Sequence, residues 1–129
     1  SHDPRLQPYT QTLHKTYPIL PNKALAVAPM VDQSDLPFRL LCRNYNANLC
    51  FTPMIHAKMF FEKAGYRKKF WDEVRGIPPE DRPLIVQLCG SHLESLLWTM
   101  RFVLEHRGSG IDGFDLNCGC PQTIAKRGE

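Results

Sequence analysis

The sequence predicts an α/β protein in which parallel strands are covered by helices, and three observations carry that expectation. Short apolar runs alternate four times with segments of helical period. The links between them are short. Polar residues gather at the C-terminal ends of the apolar runs, where parallel α/β proteins place their ligands. A barrel and a doubly wound sheet both fit this alternation. With 129 residues, 43% hydrophobic and 22% charged, the chain is long enough for one domain with a real core and is not disordered by composition.

Residues 1–22, SHDPRLQPYTQTLHKTYPILPN, are rich in proline and lack a sustained period, which predicts a flexible N-terminal arm, with Ser1 and His2 read as a cloning remnant. Folded structure is expected from Lys23 to the end of the chain, residues 23–129. ALAVAPM reads as a buried strand. SDLPFRLLCRNY reads as a helix with Ser34 as N-cap and Pro37 in its tolerant first turn. NLCFTPM is a second short strand, followed by IHAKMFFEKAGYRKKFW, helical but interrupted near Gly65, and a Pro-rich loop that ends at Pro83. LIVQLCG is a continuous apolar strand. Ser91 and Glu94 then form an S-x-x-E capping box, and Leu93, Leu96, Leu97, Met100 and Leu104 recur at helical spacing up to a stop at Gly108. IDGFDLN is the fourth strand.

A period of two sorts the faces of these strands. Gly113, Asp115 and Asn117 share one face of the fourth strand, and Phe114 and Leu116 share the other, which should meet helices. On the third, Ile85, Gln87 and Cys89 alternate with Leu84, Val86 and Leu88, so Gln87 is expected to point inward. On the first, Ala26, Ala28 and Met30 align, leaving room for something flat.

The net charge of +3 is compatible with a polyanionic partner but does not require one. Five cysteines without a regular framework or a preceding signal-like segment suggest reduced thiols in a cytosolic or nuclear setting, and no segment approaches the ~20 apolar residues of a membrane helix. Neither G-x-G-x-x-G nor a P-loop occurs.

Cys120 stands just past the fourth strand between Gly119 and Pro121, a stiff loop suited to presenting a side chain. A thiol with an ordinary pKa near ~8.5 is mostly protonated at neutral pH, so it can donate a proton, or act as a nucleophile beside a cation. The alternative is a small apolar filler. A zinc site is disfavoured because Cys42, Cys50 and Cys89 stand singly, and a Cys118–Cys120 disulfide would be strained. Cys118 is read as a neighbour without a role. Gln87 and Asn117 offer amides to the polar edge of a pyrimidine or a flavin ring, or else cap strand ends. The tract Lys63, Arg67, Lys68, Lys69 and Arg75, among Tyr66, Phe70 and Trp71, could grip phosphates and stack on bases, or be a solvated helix face. His56 and His92 carry no motif.

APM at 28–30, TPM at 52–54, PEDRPLIVQLC and DLNCGCPQTIAKRG together resemble the tRNA-dihydrouridine synthases, most of all the eukaryotic branch acting at D-loop positions 16 and 17. The resemblance runs from about Leu25 to the end. It implies a TIM (β/α)8 barrel of which about the first four β/α units are present, since a complete barrel needs ~250 residues. It also implies FMN at the C-terminal mouth, NADPH or NADH as reductant, a tRNA substrate, no metal, and a monomeric full-length protein. By similarity Cys120 is the general acid. Pro29, Met30 and Val31 line the flavin, Gln87 bonds its polar edge, and Asn117 sits between flavin and uracil. A dihydroorotate dehydrogenase-like barrel and a non-catalytic RNA-binding remnant are the alternatives.

Overall fold

A computed structural model describes residues 24–75, 77–107 and 110–119. The expected arm at 1–22 and the segment from Cys120 onward lie outside these residues.

The strands are β1 (Ala26–Val27), β2 (Leu49–Phe51), β3 (Ile55–His56), β4 (Leu84–Cys89) and β5 (Gly113–Leu116), and the helices are α1 (Leu36–Asn44), α2 (Ala57–Glu62), α3 (Ala64–Arg75) and α4 (Leu93–Arg107). All described strand pairs are parallel, as the alternation predicts. β1 pairs with β2 and β2 with β4. β3 continues along the same edge of β4, with Ile55 opposite Leu88, while β5 takes the other edge, with Leu88 opposite Leu116. Spatial order therefore follows chain order. A doubly wound sheet would reverse direction at a switch point, and none occurs among the described strands.

The expected second strand is shorter than NLCFTPM, ending at Phe51, and Ile55–His56, expected to begin the helix, form the separate strand β3. Pro53 has no N–H to donate, so the ladder lapses between Phe51 and Ile55, and the Thr52 hydroxyl fills the gap by accepting from the Gln87 N–H at 3.3 Å. Thr52 and Pro53 are buried there.

Further helix readings are corrected. Asp35, not Ser34, caps α1, its carboxylate accepting from the Phe38 N–H at 3.1 Å, with Pro37 inside the first turn as expected. Ser34 is fully buried and folds its hydroxyl back on Met30, accepting from its N–H at 3.0 Å and donating to its carbonyl at 3.1 Å. In α4, Leu93, Leu97 and Leu104 are exposed by 68%, 43% and 50%, whereas Ser95, Thr99 and Val103 are buried. Close approach to α2 selects that face: the Thr99 hydroxyl donates to the Ala57 carbonyl at 3.3 Å, a spacing that small side chains permit and leucines do not. The helix break expected near Gly65 falls at Lys63.

The core between sheet and helices gathers Ile55, Phe60, Val86, Leu88, Val103 and Ile111, with Phe114 packed against it. Phe114 thus meets the helices as its face predicts. Leu116, on the same face, is half exposed. The opposite face carries Gly113, where a Cβ would come within 3.2 Å of Ile85 Cδ1, so the interior of the sheet is tight at that level and opens only beyond it.

A buried ionic cluster ties α1 to the loop before β4. Asp81, fully buried, accepts from Arg39 Nε at 2.8 Å and from Arg43 Nε at 2.9 Å. Arg39 also donates to the Ser34 carbonyl at 2.7 Å, and Arg43 to the Pro83 carbonyl at 2.8 Å.

Candidate active site

Beyond the tight level at Ile85 and Gly113, the C-terminal ends of β1, β2, β4 and β5 surround an open cavity of about 290 Å³. Its walls are Pro29, Met30, Val31, Gln33, Met54, Gln87 and Asn117. The five residues expected at the site from β1, β4 and β5 therefore line one space, although they span nearly ninety positions of sequence. Gln33 and Met54 were not expected there. The TPM run was the only signal for Met54, and its side chain faces this cavity because Pro53 turns the chain between β2 and β3.

Each wall is held from behind. The Ser34 hydroxyl clamps both polar backbone groups of Met30, and Ser34 is itself gripped by Arg39 of the buried ionic cluster. Gln87 is buried with its Nε2 donating to Asp115 at 2.6 Å. Asn117 donates from Nδ2 toward Met54 Sδ at 3.4 Å and Gln87 Oε1 at 3.5 Å, and its Oδ1 accepts from the Gly119 N–H at 3.0 Å. An apolar floor of proline, methionine and valine with two amides on one rim suits a flat heterocycle that carries its own amide edge.

A family model described as dihydrouridine synthase (Dus) matches residues 26–129. The chain belongs to the dihydrouridine synthase family. It is 49% identical over 102 residues to a tRNA-dihydrouridine(16/17) synthase (NAD(P)(+))-like protein of Rattus norvegicus, covering 79% of this chain and 22% of that protein. It is 46% identical over 103 residues to the tRNA-dihydrouridine(16/17) synthase of Schizosaccharomyces pombe, covering 80% of this chain and 24% of the relative. A tRNA-dihydrouridine(20a/20b) synthase-like protein of Homo sapiens is 40% identical over 98 residues, covering 76% and 28%. The chain thus spans about a quarter of the length of these synthases.

Within this dihydrouridine synthase sheet, the candidate acid Cys120 lies outside the described residues, one position past Gly119. Cys118 is exposed, its Sγ 3.7 Å from the Leu116 carbonyl. Cys50 and Cys89 are buried fillers, and burial pushes the Cys50 thiol up, only partly opposed by the Arg43 guanidinium.

The basic tract divides. Arg67 is structural: it donates to the Phe60 and Phe61 carbonyls at 2.7 and 2.9 Å and lies over the Trp98 ring at 5.1 Å. Lys63, Lys68 and Lys69 are exposed, and Lys69 faces Asp32 at 3.7 Å beside a second cavity lined by Tyr66 and Phe70. No group of three metal-ligating side chains occurs among the described residues, and no helix among them is long and apolar enough to cross a membrane.

His56, which no motif distinguishes, is fully buried. Its Nδ1 caps α2 by accepting from the Met59 N–H at 3.3 Å, and its Nε2 has no hydrogen-bond partner among the described residues. Loss of solvation holds this imidazole below its ordinary 6.5; its own backbone hydrogen bond and Glu62 oppose the shift, while Lys58 and Lys63 add to it. Because the folded pKa is lowered, stability is complete above about pH 6.5 and falls as the pH drops below it, where the unfolded chain takes up the proton first. Urea midpoints measured at pH 7.5 and 5.5 should therefore fall more steeply for the wild type than for His56→Asn, which keeps a capping acceptor but does not titrate. Equal slopes would show that this histidine does not contribute.

Proposed function

We propose that this chain forms the first four β/α units, residues 23–129, of the FMN-binding TIM barrel of a tRNA-dihydrouridine synthase. The whole enzyme reduces the C5=C6 bond of uridine in the D-loop of tRNA at the expense of NADPH or NADH, as a monomer in the cytoplasm or nucleus. The observation that carries this reading is the single cavity shared by Pro29, Met30, Val31, Gln87 and Asn117 at the strand ends. Sequential strand order supports a barrel. So does the apolar surface left at both sheet edges, with Leu25, Leu41 and Tyr45 beside β1 and Leu116 on β5.

When bound, reduced FMN supplies hydride to uracil C6. The chain's own residues do the rest. Met30, Val31 and Pro29 offer an apolar bed for the flavin ring, held rigid by Ser34. Gln87 would bond the ring's polar edge, and Asn117 would sit between flavin and uracil. Cys120 protonates C5 as a neutral thiol, the form in which a free thiol is mostly found at neutral pH.

Purified full-length protein is expected to be yellow, to release FMN on denaturation, and to convert uridine to dihydrouridine in intact tRNA with NADPH. Colourless protein that binds tRNA with a steep salt dependence would favour an RNA-binding remnant. Turnover of free dihydroorotate instead of tRNA would point to the other class of FMN barrel.

A further inference from the structure

We infer that Asp115 is a positioning residue that sets the hydrogen-bond polarity of the whole amide rim, acting on the flavin through Gln87. This rests on the function proposed above. Asp115 and Gln87 are register partners on β5 and β4, and their side chains leave the same face of the sheet. A carboxylate oxygen accepts hydrogen bonds and does not donate them, so the 2.6 Å contact requires Gln87 to present Nε2 to Asp115. The amide cannot then rotate by half a turn without setting oxygen against oxygen.

That constraint propagates. With Nε2 committed, Gln87 Oε1 faces Asn117, which must answer with Nδ2. The same Nδ2 lies against Met54 Sδ, a weak acceptor. Asn117 therefore turns Oδ1 to the Gly119 N–H, one residue before Cys120. A run of three side chains, Asp115, Gln87 and Asn117, thus ends at the backbone of the loop that carries the cysteine, and only the first of the three cannot reverse its role. What remains open toward the cavity is fixed by the same logic: Gln87 keeps its second Nε2 hydrogen and a lone pair on Oε1, in a defined orientation, for the donor and acceptor groups of the ring edge. Without Asp115 the Gln87 amide would sample both orientations, and only one matches a given ring.

The test uses full-length protein with Asp115→Ala, Asp115→Asn, Gln87→Met and the Asp115→Ala/Gln87→Met pair. Thermal midpoints report folding, quenching of flavin fluorescence gives the FMN Kd of the apoprotein, and the visible absorption bands report the ring environment. Asp115→Ala should raise the FMN Kd about ten-fold and shift the absorption bands, since one charge-assisted bond is lost. Asp115→Asn keeps the size but can present either an oxygen or an NH2 to Gln87, so it releases the fixed polarity and should raise the FMN Kd and shift the bands in the same direction as Asp115→Ala. In the Gln87→Met background, Asp115→Ala should have no further effect on Kd or spectrum. Wild-type Kd and spectrum in Asp115→Ala would overturn the inference, as would additive effects in the pair, which would make Asp115 a packing or charge element independent of Gln87. A wild-type protein that binds no flavin would instead sink the proposed function.

Discussion

Replacing Cys120 with alanine in the full-length protein should lower dihydrouridine formation by about 10²–10⁴-fold, the usual worth of a positioned general acid. Addition of hydride at C6 of uracil places negative charge on C5 and the conjugated carbonyl, and that charge must be quenched by a proton before product can leave. Water, a far weaker acid than a thiol, could supply it only inefficiently. A thiol is suited to the task because it is neutral and yet acidic enough to give up its proton to a developing carbanion. Alanine removes the proton and leaves the cavity of Pro29, Met30, Val31, Gln87 and Asn117 intact, so FMN content, reduction by NADPH and tRNA affinity should be unchanged. Dihydrouridine released from tRNA measures the effect. Normal turnover by the alanine variant would refute the assignment.

The second large effect is on stability. Asp81→Ala should cost about 3–5 kcal/mol, because it leaves Arg39 and Arg43 as buried charges without a counter-ion. The Arg39 and Arg43 side chains are 3% and 10% exposed and meet the fully buried carboxylate at 2.8 and 2.9 Å, so without it Arg39 is left buried and Arg43 largely shielded from water. The damage should extend to the site. Arg39 holds the Ser34 carbonyl and Ser34 clamps Met30, so a displaced Arg39 loosens the apolar bed and weakens FMN binding along with the fold. Urea unfolding measures the first effect and flavin fluorescence the second. Replacing all three charged residues together by apolar ones of similar volume should restore much of the stability, since the loss comes from unpaired charge and not from missing attraction. A loss well below 1 kcal/mol in Asp81→Ala would show that the arginines find other partners.

Local chemistry was enough to read much of this protein. Parallel strands, the placement of Pro37 in the first turn of α1 and the inward face of Gln87 each depend on a property that a few neighbouring residues decide: periodicity, a missing N–H, a side chain's place in the pleat. Resemblance extended that reading to the family and to the residues of one cavity. Arg39, Asp81 and Ser34 were not legible as a unit. Arg39 and Asp81 are forty-two residues apart, and an arginine on a helix with the ordinary look of a surface residue gives no local sign that it will be buried. Arg67 was misread for the same reason: in sequence it belongs to a basic run, and only the packing of α3 against Trp98 turns it inward. The leucines of α4 show the converse error, because a helical period identifies an apolar face but not which of two faces a neighbouring helix will approach most closely.

What the sequence determined by itself was the order and type of the elements and the kinds of residue at the strand ends, because backbone hydrogen bonding and side-chain alternation act over a few positions. Only the tertiary structure decided that Met30, Met54, Gln87 and Asn117 share one space, which of them are held by a carboxylate or a hydroxyl, and which cations are buried. Those outcomes depend on pairing between distant strands, where burial removes water and makes each polar group answer to the particular partner that the register places beside it.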